Sequence, residues 1–175
     1  MSSSLSLILI CSILILGCNQ STSSGSIDEA VGKVAPEFTY SSLDGEKISL
    51  SQFDNKVVYL FFYGAGCPHC RSNGPVTENQ INQRFKTDTN FVAFGLDTWN
   101  QSSSANNSFK ATTGITYSLL LNAQQSLVDY YGNTTSYDRS VVIDSNGRIA
   151  YQGNGYVNTD ADEVVNVIQS ILDGI

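Results

Sequence analysis

The stretch that decides the fold is Lys56-Val-Val-Tyr-Leu-Phe-Phe-Tyr63-Gly-Ala-Gly-Cys67-Pro-His-Cys70. Its first eight residues form an unbroken β-branched and aromatic run, which is typical of a central strand buried on both faces. Three small residues then lead to two cysteines with a proline and a histidine between them. Pro68 suits the first position of a helix, so the pattern predicts a strand, a tight turn and a helix that begins at the cysteines.

Short apolar runs alternate with helical patterns along the rest of the chain. Strands are predicted at residues 91–96, 119–121, 140–144 and 148–152, and helices around Phe109 and at 124–131. Asp160 and Glu163 have the spacing of a capping box and predict the start of a last helix. Gly74 and Pro75 predict a kink or a restart in the helix that follows the cysteines. The alternation indicates an α/β fold, with a mixed central sheet flanked by helices.

The two cysteines are three positions apart on the first turn of the predicted helix. Thiol–disulfide exchange needs an exposed thiol that ionises readily and a second thiol that resolves the mixed disulfide. Cys67 receives the positive end of the helix dipole, and His69, when protonated, adds a charge between the two sulfurs. We therefore expect Cys67 to be the nucleophile and Cys70, which lies deeper, to be the resolving residue.

Two structural explanations of the cysteines are weaker. A disulfide that closes so small a loop removes little chain entropy, so it is a poor stabiliser of a domain with an adequate core. A zinc site needs four ligands, whereas this part of the chain offers only Cys67, His69 and Cys70. We predict no metal and no other cofactor.

The amino terminus predicts export. Residues 1–17 contain an apolar run that is too short for a transmembrane helix and is typical of a signal peptide. The run ends in Ile15-Leu16-Gly17-Cys18, which resembles the lipobox of bacterial lipoproteins and implies that Cys18 is lipidated. Residues 18–30 would then form the lipidated tether and 31–175 the folded domain. Cys11 lies in the discarded segment, which leaves Cys67 and Cys70 as the redox thiols.

Composition limits the partners. The 175 residues carry a net charge of -7, and no Lys/Arg cluster stands out, so nucleic acid is excluded as an expected partner. The length after export is that of one domain.

Several motifs together resemble the redoxin branch of the thioredoxin superfamily, in particular the TlpA/ResA-like thiol–disulfide proteins. The resembling segments run from about Val31 to Gly153: Val31–Phe38, Leu43–Ser51, Tyr63–Arg71, Tyr130–Gly132 and Val142–Ile149. The resemblance implies a thioredoxin-like fold with an amino-terminal β-hairpin extension. The dipeptide Pro68-His69 is similar to that of the DsbA oxidases and implies that both residues tune the redox pair.

The sequence also departs from the family. Gly66 replaces the usual Trp, and Phe61 and Asn73 stand where relatives carry a carboxylate. The three prolines are Pro36, Pro68 and Pro75, so no cis-proline can face the cysteines.

By counting back along the motif, the place of that proline falls at Asp138 or Arg139. We hypothesise that one of these residues lies against Cys67 and tunes it, in place of the missing groups. Ordinary loop charges are the competing interpretation.

The expected function is an extracytoplasmic thiol–disulfide oxidoreductase, anchored by lipid at the bacterial cell envelope, facing the periplasm or the outer surface. Its partners would be thiols and disulfides of exported proteins and a membrane or soluble protein that recycles the Cys67–Cys70 disulfide. The resemblance leaves two alternatives, a Sco-like metal chaperone and a peroxiredoxin-like peroxidase on the same scaffold.

Overall fold

The computed structural model describes residues 29–174. The predicted segment 1–17, Cys11, Cys18 and most of the tether lie outside these residues. No helix within 29–174 is long and apolar enough to cross a bilayer. In chain order, the elements are β1 (Thr39–Ser42), β2 (Lys47–Ser49), a 3-10 helix (Leu50–Phe53), β3 (Val57–Tyr63), α1 (Pro68–Val76), a π-helical segment (Thr77–Asn82), α2 (Gln83–Phe85), β4 (Phe91–Asp97), α3 (Ser103–Thr113), β5 (Ser118–Leu121), α4 (Gln124–Tyr131), β6 (Arg139–Ile143), β7 (Ile149–Gln152) and α5 (Val157–Leu172).

The β3 strand is the centre of the fold. All seven of its residues are buried, as its unbroken apolar run predicts. It pairs in parallel with β4, from Val57 opposite Phe91 to Tyr63 opposite Asp97, and antiparallel with β6 on its other side. The cysteines follow directly on this strand, so its position fixes theirs.

The strands of the described residues form one mixed sheet in the order β2-β1-β5-β4-β3-β6-β7. The β1–β2 hairpin adds to one edge, where β1 pairs antiparallel with β5. The antiparallel β6–β7 pair completes the other edge. The predicted α/β fold with a central mixed sheet, flanking helices and an amino-terminal hairpin is confirmed.

Side chains of β3 alternate between two core layers, because successive residues of a strand point to opposite faces. Tyr59, Phe61 and Tyr63 pack in the layer that contains both cysteines and the buried side chains of α3 and α5. Leu60 and Phe62 pack in the layer that contains the buried side chains of α4. The redox motif is therefore part of one core layer rather than an appendage on the surface.

The helix that follows the cysteines changes its hydrogen-bonding pattern after Pro75. α1 ends at Val76, a π-helical segment follows, and α2 continues from Gln83. Pro75 lacks a backbone N–H and removes one helical hydrogen bond, which favours such a change. Gly74 lets this turn approach α3 closely, since a Cβ atom at this position would lie 2.6 Å from the Thr113 side chain.

The predicted start of the last helix is wrong by four residues. α5 begins at Val157, with Tyr156 at its N-cap position, rather than with Asp160 as the cap. The Asp160 side chain turns inward instead, and its Oδ2 accepts a hydrogen bond of 2.9 Å from the Tyr151 hydroxyl. Burial of Val157 extends the helix beyond the limit that capping chemistry alone predicted.

Candidate active site

Cys67 and Cys70 lie at the amino terminus of α1, where β3 has just ended. Cys67 is the N-cap residue, Pro68 occupies the first turn, and the Cys67 Sγ accepts the backbone N–H of Cys70 at 3.2 Å. The turn before it is closed by a hydrogen bond of 2.9 Å from the Cys67 N–H to the Gly64 carbonyl. The first sulfur therefore receives an N–H group of the helix terminus, which stabilises negative charge on it.

Both cysteines are free thiols and both are almost enclosed. Cys67 is 2% exposed and Cys70 is 0% exposed. The order agrees with Cys67 as the more accessible sulfur, but Cys67 is far less exposed than the sequence led us to expect. It packs in the core layer that also holds Tyr63 and Phe109. A partner disulfide must consequently approach very closely to reach it.

The chemical state of Cys70 is set by its burial. Desolvation raises the pKa of the Cys70 thiol far above its ordinary value, and its hydrogen bond to Cys67 raises that pKa further. The nearby charge of Asp138 acts in the same direction. Cys70 therefore holds its proton at neutral pH, and it needs a proton acceptor before it can attack a mixed disulfide.

Asp138 is a completely buried carboxylate in the turn that precedes β6. Its backbone has a positive φ of 58° and is fixed by a hydrogen bond of 2.6 Å from its N–H to the Phe62 carbonyl. Oδ2 accepts a hydrogen bond of 2.7 Å from the Asn73 side chain, whereas Oδ1 has no partner. Burial raises the Asp138 pKa, although Asn73, Arg139 and His69 each oppose that rise.

The hydrogen bond between Asn73 and Asp138 involves a position at which the sequence lacks the carboxylate of the family. Phe61 and Asn73 stand at the two positions where the family resemblance implies a carboxylate, and the sequence hypothesis offered Asp138 or Arg139 in place of the missing groups. Asn73 on α1 instead binds a carboxylate that comes from the turn before β6. The charge of Asp138 also raises the pKa of Cys70, and the hypothesis that Asp138 or Arg139 lies against Cys67 stays a prediction.

Arg139 and His69 both contact the ring of Tyr156, a residue that the sequence did not single out. The Arg139 guanidinium donates to the Tyr137 and Asp138 carbonyls at 3.1 Å and lies 4.9 Å from the centroid of the Tyr156 ring. The His69 imidazole stacks on the same ring, with centroids 5.1 Å apart and planes 8° from parallel. The Arg139 and His69 side chains thus share Tyr156 as an aromatic neighbour beside the motif.

The loop after β4 covers the other side of the cysteine turn. Trp99 lies against Gly64 so closely that a Cβ atom there would be 2.3 Å from the indole. The Gln101 side chain lies beside Gly66 and accepts its backbone N–H. Side chains from this loop therefore occupy space next to the position where relatives carry a Trp.

Asp97 holds that loop in place. Its buried carboxylate accepts the backbone N–H groups of Trp99 and Gln101, at 3.2 and 2.8 Å, and the Asn106 side-chain amide at 2.8 Å. The Ala65 backbone donates to it as well. Sequence reasoning missed this residue, although one signal was present. Asp97 ends a strand parallel to β3, and the carboxyl ends of neighbouring parallel strands lie at one edge of a sheet.

Within residues 29–174, no three His, Cys, Asp or Glu side chains are grouped so that they could hold a metal ion.

The chain belongs to the Redoxin family, whose model matches residues 30–168. It is 29% identical over 118 residues to the thioredoxin-like protein YneN of Bacillus subtilis, covering 67% of this chain and 68% of that protein. It is 27% identical over 123 residues to the thiol-disulfide oxidoreductase ResA of Bacillus thuringiensis, covering 70% and 68%.

Solved structures agree with the family. A Bacteroides thetaiotaomicron protein assigned to the protein disulfide isomerases superposes with a TM-score of 0.73 at 29% identity, covering 82% of this chain and 90% of that one. The ResA relatives carry the name thiol-disulfide oxidoreductase. The predicted enzyme class, a thiol–disulfide oxidoreductase of thioredoxin-like fold, is confirmed.

Proposed function

We propose that this redoxin-family protein is an extracytoplasmic, membrane-tethered oxidoreductase that exchanges disulfides with exported proteins. One observation carries the proposal: the Cys67 Sγ accepts a helix N-terminal N–H from Cys70, whose own thiol is completely buried and has a pKa that the charge of Asp138 helps to raise. This arrangement gives the two sulfurs different tasks. The first is stabilised as an anion, and the second is kept protonated until it is needed.

In the first step, the Cys67 thiolate attacks one sulfur of a partner disulfide. A Cys67–partner disulfide forms, the partner's sulfur–sulfur bond breaks, and the other partner sulfur leaves as a thiolate that takes a proton from water. Pro68 fixes the first helical turn, and His69 supplies positive charge close to the reacting sulfurs when it is protonated.

In the second step, Cys70 resolves the mixed disulfide. Asp138 accepts the Cys70 proton, and the new thiolate attacks the Cys67 Sγ. The Cys67–Cys70 disulfide forms, the Cys67–partner bond breaks, and the partner sulfur leaves as a thiolate that takes a proton from water. A raised pKa suits Asp138 to this role, because a carboxylate of ordinary pKa is a weak base. The Arg139 guanidinium donates to the backbone carbonyl of Asp138, and its charge lowers the pKa of the Asp138 carboxyl. The reverse sequence oxidises a partner dithiol, and the reduction potential sets the direction.

The proposed location rests on the amino terminus. Residues 1–17 would direct export, Cys18 would carry the lipid, and residues 18–30 would separate the domain 31–175 from the membrane. This placement brings the enzyme to disulfides of exported proteins and to the membrane or soluble protein that recycles it. Metabolic labelling with a palmitate analogue should mark the wild type and leave Cys18→Ala unlabelled. Equal labelling of both would contradict the lipid anchor.

The exchange reaction is tested by catalysis of insulin reduction by dithiothreitol. The wild type should accelerate insulin precipitation, and Cys67→Ser should abolish the acceleration. Cys70→Ser should accumulate a mixed disulfide that a reducing agent releases, because its first step is intact. The experiment contradicts the proposal if Cys67→Ser is as active as the wild type.

The two alternatives are separated in parallel assays. A Sco-family protein superposes with a TM-score of 0.61 at 14% identity, which shows a shared fold. Peroxide consumption that requires Cys67, together with inactivity towards insulin, would favour a peroxidase. Stoichiometric Cu(I) binding by Cys67 and Cys70 would favour the metal chaperone.

A further inference from the structure

His69 is the single histidine of the chain, and its ring is held against one partner. The imidazole and the Tyr156 phenol stack with their centroids 5.1 Å apart and their planes nearly parallel. The same phenol ring lies 4.9 Å from the guanidinium carbon of Arg139. The Tyr156 side chain, at the N-cap of α5, therefore contacts both His69 of the redox motif and Arg139, which adjoins Asp138.

Tyr156 has a fixed backbone although its side chain is 43% exposed. It is the N-cap residue of α5, and its carbonyl accepts both the N–H and the hydroxyl of Thr159, at 2.8 and 2.6 Å. The next residue, Val157, is completely buried in the core layer that contains the cysteines. The core thus anchors a surface ring that contacts the side chains of His69 and Arg139.

We propose that Tyr156 is a positioning residue that holds the His69 imidazole beside Cys67 and thereby raises the reduction potential of the Cys67–Cys70 pair. The proposal rests on the proposed function of these cysteines. An aromatic face attracts a cation, so the ring holds the imidazole in this place when His69 carries its proton. That cation stabilises the thiolate of the reduced protein and finds no charge to stabilise on the disulfide. It therefore favours the reduced form, which makes the disulfide a stronger oxidant.

Equilibration with glutathione measures this effect directly. The Cys67–Cys70 disulfide and two glutathione molecules give the dithiol and one glutathione disulfide, with two electrons and two protons transferred to the protein. In Tyr156→Ala, the equilibrium constant of this reduction should fall by a factor of about two to five, which is the effect of losing an exposed cation–π contact. Tyr156→Phe keeps the ring and should retain the wild-type value.

A double-mutant cycle tests whether Tyr156 acts through His69. His69→Ala should lower the equilibrium constant, and the addition of Tyr156→Ala to it should change nothing further. The cycle overturns the proposal if Tyr156→Ala has the same effect with and without His69. A Tyr156→Phe variant that behaves like Tyr156→Ala overturns it too, because the hydroxyl rather than the ring would then be the active group.

Two controls separate this inference from other failures. Val34→Ala truncates a side chain that is 68% exposed and should leave the equilibrium constant unchanged. Urea unfolding of each variant identifies any that does not fold, and the Tyr156→Phe and His69→Ala variants then decide the question. A wild type that forms no reversible disulfide with glutathione contradicts the proposed function itself. A wild type that does, with a Tyr156→Ala variant of equal potential, contradicts only the role of Tyr156.

Discussion

Two buried aspartates flank the cysteine turn, and they differ in how completely they are paired. Asp97 accepts from three backbone N–H groups and from the Asn106 amide. Asp138 accepts from Asn73, and its second oxygen has no hydrogen-bond partner among residues 29–174. Desolvation raises the pKa of both carboxyls. The comparison suggests that Asp97 holds two loops together, whereas Asp138 keeps a free oxygen for a proton.

The strongest test of this contrast is the replacement of Asp97 by Ala. The substitution leaves several buried donors without an acceptor, and we expect it to lower the free energy of unfolding by about 3 kcal/mol. Urea denaturation measures this loss. Asp162→Ala, at an exposed position of α5, is the matched control and should change stability little. A stability loss no greater than that of the control would end the structural role assigned to Asp97.

The second test replaces Asp138 by Asn, which removes the proton acceptor and preserves the shape. The reduced protein should release thionitrobenzoate from Ellman's reagent in two phases, the first from Cys67 and the second from Cys70. We expect the second phase to slow by about tenfold to a hundredfold, within the usual range for loss of a general base. The first phase should be unchanged.

The same variant also removes a charge that raises the Cys70 pKa, and this change alone would accelerate the second phase. Asp138 is the smallest of the causes that shift Cys70, so loss of the acceptor should dominate. A faster second phase in Asp138→Asn would mean that Asp138 acts only as a charge. Asp97 and Asp138 would then differ in their hydrogen bonds but not in a proton-transfer role.

The smallest expected effect concerns Asp160, another buried aspartate. Like Asp138, it has one oxygen without a hydrogen-bond partner among the described residues. Burial raises its pKa from 3.8 to about 6. Because the folded protein binds this proton more tightly than the unfolded chain, the resulting stability is present below the ordinary pKa and is lost as the pH rises to about 6. Asp160→Asn avoids this loss and should be about 1 to 2 kcal/mol more stable than the wild type at pH 8.

Unfolding free energies between pH 3.5 and 8 check the last prediction. The difference between Asp160→Asn and the wild type should grow from pH 4 to pH 6 and stay constant above it. A difference that does not depend on pH would indicate a packing effect unrelated to titration.

The sequence predicted the parts of the molecule that depend on local patterns. The buried β3 strand, the helix start at Pro68 and the α4 helix all follow from apolar periodicity and from proline geometry over a few residues. The sheet class followed from the alternation of strands and helices, and the amino-terminal hairpin from motifs of the family. These features need no knowledge of which distant residues meet.

The parts that the sequence did not predict depend on contacts between distant segments. Asn73 and Asp138 are 65 positions apart, and a count along a motif could place the aspartate in a turn without showing that the asparagine would bind it. No sequence pattern predicted a role for Tyr156, because its ring stacks on His69 only when α5 packs beside α1. The near-complete burial of Cys67 was unexpected for the same reason.

The position of Trp99 against Gly64 gives the protein its own optical probe. Trp99 is the single tryptophan of the chain, and its indole lies on the backbone that leads to the redox cysteines. Its emission should therefore respond to any movement of that backbone when the disulfide forms or breaks. The kinetics of partner oxidation and reduction can then be followed by fluorescence, without an attached dye.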